Sequence, residues 1–132
     1  MPKTASIELE VPFHDVDALR VVWHGHYAKY YELASMNLLR EYGLDVLVIQ
    51  DLGYTMFVME TRFRYMHPLR YGDRFKVTSE LKEWDTCFVI SNVIHKLDGG
   101  QRCARGRTSL VLTNSEGELL LKIPDEIRNR IK

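Results

Sequence analysis

"GHYAKYYELASMNLLREYG", Gly25 to Gly43, is the stretch that decides the fold. Its apolar positions are Tyr27, Tyr30, Tyr31, Ala34, Leu38 and Tyr42. They recur at three- and four-residue spacing, which is one stripe of an α-helix. Lys29, Glu32 and Arg40 lie opposite, while Leu33 and Met36 fall outside the stripe, so the back of the helix is not uniformly polar. Gly43 is a natural C-cap. A helix from Gly25 to Tyr42 is about 27 Å long.

The flanking sequence has a different period. Upstream, "SIELEV" (Ser6 to Val11) alternates and predicts a short strand. Downstream, Leu44 to Leu52 predicts a second, shorter helix or turn that ends at Gly53. The period then becomes two: Phe57, Met59, Phe63 and Tyr65 face one way, and Val58, Glu60, Arg62 and Arg64 the other. "HPLRYGD" (His67 to Asp73) breaks this strand. Arg74 to Trp84 follows with Phe75, Val77 and Leu81 on one face, then Cys87 to Leu97 with Phe88, Ile90 and Ile94 on one face. "DGGQ" (Asp98 to Gln101) is a hairpin turn leading to a strand over Arg102 to Thr113. "NSEG" (Asn114 to Gly117) turns into Glu118 to Ile123, and a short tail helix follows Pro124.

Only one helix is long enough to cover a sheet. An eight-residue strand is about 26 Å long and matches it. The predicted class is α+β: one domain over residues 1–132, with a curved antiparallel sheet of about five strands wrapped around one long central helix. The sheet edges and outer face then need covering, and dimerisation is a common answer.

Composition narrows the function. Eighteen basic residues balance eighteen acidic ones, which argues against a nucleic-acid footprint and leaves self-association open. The two cysteines, Cys87 and Cys103, accompany no secretion signal, so they read as reduced thiols of a cytoplasmic protein. No apolar run approaches the ~20 residues that span a bilayer.

The chemistry concentrates just before the helix, in "HDVDALRVVWHGHY" (His14 to Tyr27). Metal ligation by His14, Asp17, His24 and His26 is disfavoured, because residues two apart do not share a helix face and no cysteine is near in sequence. No metal and no cofactor are expected. Asp15 and Asp17 can serve as solvated loop residues and N-caps, or one of them can be a catalytic carboxylate.

"FHDVDALRVVWHGHYAKYYELA" (Phe13 to Ala34) resembles the start of the hotdog-fold acyl-CoA thioesterases of the 4-hydroxybenzoyl-CoA thioesterase type. The matching positions are Asp17, Val22, Trp23, His24 and Tyr27, and "YMHPLRYGDRF" (Tyr65 to Phe75) is similar to the family's later loop, with Pro68, Gly72 and Asp73 in place. Two departures stand out: Arg20 replaces the family's turn glycine, and His26 stands where many relatives carry Asn.

The resemblance implies hydrolysis of an acyl-CoA thioester, with Asp17 as nucleophile or general base and the helix N-terminus as oxyanion site. It leaves Asp15 with the loop role. His24 joins the catalytic candidates with three roles open: contact with the acyl group, contact with Asp17, or packing. Trp23, Tyr27, Tyr31 and Arg64 are the candidate substrate contacts, and Tyr30, Met56, Phe57 and Met59 further candidates for an acyl pocket. Arg62, Arg64, Arg102, Arg105 and Arg107 suit the phosphates of CoA; the alternative for each is a cross-strand charge pair with glutamates such as Glu60 and Glu80. The substrate is an acyl-CoA or an acyl-carrier-protein thioester, and a non-catalytic acyl-CoA-binding module is the non-enzyme alternative. The implied assembly is a homodimer or a homotetramer, with the site between two subunits.

Overall fold

A computed structural model describes residues 4–131. Strand β1 (Thr4–Glu10) leads through two single 3-10 turns, Phe13–Asp15 and His24–His26, into helix α1 (Tyr27–Arg40). Helix α2 (Val46–Asp51) follows, then strands β2 (Thr55–Tyr65), β3 (Arg74–Glu83), β4 (Phe88–Lys96) and β5 (Arg102–Thr113), and a terminal helical turn, α3 (Asp125–Arg128). The five strands form one antiparallel sheet in the order β1-β3-β4-β5-β2. The class is α+β, as expected.

The expected stripe is the buried one. Tyr27, Tyr30, Tyr31, Ala34, Leu38 and Tyr42 all lie inside, against Phe75, Val77, Ile94 and Ala104 at one end of the sheet and Phe88, Ile90 and Leu112 at the other. The α-helical part is shorter than the predicted span because its first turn is 3-10. It stops at Gly43 for a local reason. Gly43 has φ of 70°, and the N–H groups of Leu44 and Gly43 donate to the carbonyls of Leu39 and Arg40, both at 2.9 Å. This is a Schellman cap that needs left-handed backbone at the glycine. Between the two halves of the core, Ser79 Oγ donates to Asn92 Oδ1 at 2.6 Å and Asn92 Nδ2 donates to Ser35 Oγ at 3.3 Å, which ties the helix to the sheet.

One expectation fails. The predicted single alternation along β2 breaks at a bulge between Val58 and Glu60. Met59 is the extra residue, so the inward side switches parity: Met56 packs on the core, whereas Phe57 and Met59 are exposed. Beyond the bulge, Phe63 is inward as predicted and stacks on Tyr31 at 5.5 Å. After the turn over residues 114–117 a single bridge joins Thr113 to Leu119.

Candidate active site

The turn carrying Asp17 hangs from the start of α1. Val16 and Val22 form an isolated bridge, and inside it the Asp17 N–H donates to the Val21 carbonyl at 3.0 Å and the Arg20 N–H to the Asp17 carbonyl at 2.9 Å. The chain reverses between them, and Arg20 closes the turn at φ of 65°. A left-handed backbone, which glycine adopts without strain, is held here by an arginine. Asp17 is half-buried. Its Oδ1 accepts the Leu19 N–H at 2.9 Å, and Oδ2 has no protein partner among the described residues.

The helix entrance follows directly. Trp23 N–H donates to the Asp15 carbonyl at 3.0 Å and His26 N–H to the Trp23 carbonyl at 2.9 Å. Among the described residues, the N–H groups of His24 and Gly25 meet no acceptor, and no side chain caps the helix. Unpaired donors at a helix start carry partial positive charge and suit an anionic oxygen. The Trp23 indole lies against Gly25: a Cβ there would stand 2.2 Å from the ring. His24 and His26 flank the same indole, each 5.3 Å away between ring centres. Tyr65, at the end of β2, donates its hydroxyl to the His24 carbonyl at 3.1 Å and packs edge-on to Tyr27 at 4.8 Å. Burial pushes the Tyr27 phenol up to about 12, against a backbone hydrogen bond at Leu69 that lowers it.

Asp15 departs from the loop role expected of it. It is buried, and it anchors the turn to the helix by accepting from Lys29 Nζ at 2.7 and 2.8 Å and from the Tyr30 hydroxyl at 2.6 Å. Burial alone would raise its pKa, but the Lys29 and Tyr30 hydrogen bonds and the Lys29 charge outweigh that and hold the carboxyl below the ordinary value. The same contact and burial raise the Tyr30 phenol.

The structure therefore gathers Asp17, Trp23, His24 and Tyr27 at one end of the helix and adds Gly25 and Tyr65, which the sequence reading did not single out. A glycine opening a helix was the available signal for the first; nothing local marks the second. His24 is exposed and packs against Trp23 and Tyr65, with no hydrogen bond to Asp17 among the described residues. Tyr31 is a core residue, buried beneath Phe63, and Gly106 makes room for it: a Cβ there would come within 2.4 Å of its ring. Arg64 points to the other face of the sheet, away from Asp17's loop, and sits opposite Arg105. Of the expected acyl-pocket set, Tyr30 and Tyr31 are buried in the core, Met56 packs against it, and Phe57 and Met59 are exposed. A slot of about 180 Å³ opens between α1 and β2, lined by Ala28, Glu32, Ser35, Val58, Thr61 and Thr108 among others.

Comparison with known proteins agrees with this fold. Residues 11–131 match the family model of the Thioesterase-like superfamily. The chain is 27% identical to a 1,4-dihydroxy-2-naphthoyl-CoA hydrolase of Thermosynechococcus vestitus, over 89% of this chain and 81% of that protein. It is 22% identical to a chloroplastic acyl-acyl carrier protein thioesterase of Arabidopsis thaliana, over 98% of this chain and 68% of that one. The crystal structure of a 1,4-dihydroxy-2-naphthoyl-CoA thioesterase from Synechocystis shares the fold, with a TM-score of 0.86 at 21% identity, covering 97% of this chain and 95% of the other. A curved antiparallel sheet around one long helix is the hotdog fold. The chain belongs to the Thioesterase-like superfamily.

Proposed function

We propose that the chain hydrolyses the thioester bond of an acyl-CoA to a free acid and CoA. The observation that carries this reading is a carboxylate, Asp17, held on a turn beside a helix start whose first N–H groups are unpaired. The thioester carbonyl oxygen sits on the N–H groups of His24 and Gly25, which take up the negative charge as it develops; one such donor is worth about 3 kcal/mol. Asp17 attacks the carbonyl carbon through its free Oδ2 and the thiolate of CoA leaves; water then splits the acyl–aspartyl anhydride. Alternatively Asp17 takes a proton from water, whose oxygen attacks the carbonyl directly. Trp23, Tyr27 and Tyr65 shape the entrance, and His24 packs beside it. Arg64, on the outer face, is a contact for the phosphate of the pantetheine arm, which CoA and carrier thioesters share.

The same reading assigns the free edge of the sheet to a second copy of the chain. β2 is an edge strand of 11 residues with Phe57, Val58 and Met59 exposed. A long edge strand with exposed apolar residues invites strand pairing, and Tyr65, at its end, packs beside the candidate site. The proposed unit is a homodimer or a homotetramer.

Free-thiol release from short, long and aromatic acyl-CoAs tests the activity, with Asp17→Asn alongside. Expected is turnover in the wild type and a loss of at least about a hundredfold in the variant. Near-full activity of Asp17→Asn overturns the mechanism.

A further inference from the structure

The sheet has a second face, turned away from α1, and its charge is unusual. Where β2 pairs with β5, Arg62 stands directly opposite Arg107 and Arg64 opposite Arg105. Like charges directly opposite one another destabilise a sheet. Glu60, 3.1 Å from Arg62 on its own strand, balances one of the four, and Glu80 is engaged by Lys82 at 3.1 Å. With Arg102 and Lys82, the four arginines line an open hollow of about 670 Å³ whose lining contains a single carboxylate, Glu80. Among the described residues, Arg64, Arg102, Arg105 and Arg107 have no ion-pair partner. The whole chain has no net charge, so these cations are segregated rather than in general excess.

We propose that this face docks an acidic protein surface, that of a carrier protein which presents the acyl thioester on a phosphopantetheine arm. The proposal rests on the thioesterase reading and names a partner for it. Breadth and polarity argue for a protein. The cations extend over β2, β5 and β3 with β4 between, about 14 Å across at ~4.8 Å per strand. Small-molecule sites are enclosed and mainly apolar, with few polar groups; this hollow is open and cationic. Guanidinium forks match carboxylates in bidentate fashion, and a one-signed field speeds encounter with an acidic partner. Position also fits. Tyr65 pairs with Ala104, so the arginines of the neighbouring positions lie at the same end of the sheet as the candidate site. An arm rising from the docked partner passes over that end to the helix entrance.

The test is direct binding, which needs no turnover. Fluorescence anisotropy of a labelled holo-acyl carrier protein is measured against the wild type, Arg105→Glu/Arg107→Glu and the milder Arg105→Gln/Arg107→Gln. Expected is wild-type binding that weakens several-fold as salt rises from about 20 to 200 mM, at least about tenfold weaker binding by the glutamate pair, and an intermediate value for the glutamine pair. Equal binding by all three, or no wild-type binding at low salt, overturns the proposal. So does full displacement of the carrier by free CoA, which assigns the face to nucleotide phosphates. Loss of binding together with a changed mass in light scattering assigns the face to a second copy and also overturns it. Thiol release from acyl-CoA and from the acyl-carrier thioester is measured separately: a chain that binds the carrier yet hydrolyses neither refutes the hydrolase and leaves the docking surface standing.

Discussion

Asp15 and Lys29 form the ion pair that fastens the catalytic-candidate turn to the helix, with Lys29 Nζ 2.7 Å from one carboxylate oxygen and 2.8 Å from the other. The carboxylate is fully buried while the Lys29 side chain is 45% exposed. Removing the lysine leaves a buried charge that keeps one hydrogen bond, from the Tyr30 hydroxyl, and the His14 and His26 rings at 3.7 and 3.9 Å. Lys29→Met should therefore cost about 2 kcal/mol, less than a fully buried pair because water already screens the ammonium. Tyr30→Phe should cost about 1.5 kcal/mol, the scale of a hydrogen bond to a charged group. Urea unfolding of the two variants checks both; midpoints equal to wild type would show that the anchor contributes nothing.

The same pair gives a pH dependence with a definite sign. The folded pKa of Asp15 lies below the ordinary 3.8, so on acidification the unfolded chain takes up the proton first. Its contribution is complete above the unfolded pKa and is lost as pH falls through the folded one. Stability should drop below pH about 4 in the wild type, and Asp15→Asn should show a shallower acid limb while being less stable at pH 7. Melting temperatures from pH 2.5 to 7 decide this; parallel curves would remove Asp15 from the account.

Arg20 holds a left-handed backbone at φ of 65°, which an L side chain adopts at a cost of about 1–2 kcal/mol. Glycine removes that cost but gains freedom in the unfolded chain, worth up to about 1 kcal/mol. Arg20→Gly should stabilise the protein by about 0.5–1 kcal/mol. Arg20→Ala should not, since it keeps the strain. Equal stability of the two variants would mean that the guanidinium, not the backbone, matters at this position.

What the sequence made legible follows from which interactions are local. The helix stripe from Tyr27 to Tyr42, the Gly43 stop and the Asp98–Gln101 hairpin depend on neighbours within a few residues, and each appears where the pattern places it. The β2 bulge at Met59 does not: Met56 to Met59 are four consecutive apolar residues, in which either parity can face inward, and the switch exposing Phe57 and Met59 comes from pairing with β5. Asp15 failed for a similar reason. Its partners lie 14 and 15 residues away, and only the folded turn brings them to it. Asp17 and the open helix start were legible through the family resemblance, whereas the Tyr65 hydroxyl on the His24 carbonyl spans 41 residues and has no local signature.

Gly25 and Gly106 separate function from stability in one comparison. A Cβ on Gly25 meets the Trp23 indole first, at 2.2 Å, and that ring is about half exposed, so it can swing away. The fold should survive Gly25→Ala nearly unchanged, but the indole then leaves the helix entrance, and thioester turnover should fall at least about tenfold. A Cβ on Gly106 meets the buried Tyr31 ring at 2.4 Å and the Arg62 carbonyl at 2.7 Å, and neither can yield freely. Gly106→Ala should cost about 2–3 kcal/mol through overpacking. Thermal unfolding and thiol release, run on both variants, distinguish them. A Gly25→Ala protein with full activity would take Trp23 out of the site, and a Gly106→Ala protein with an unchanged melting temperature would contradict the packing of Tyr31 against β5.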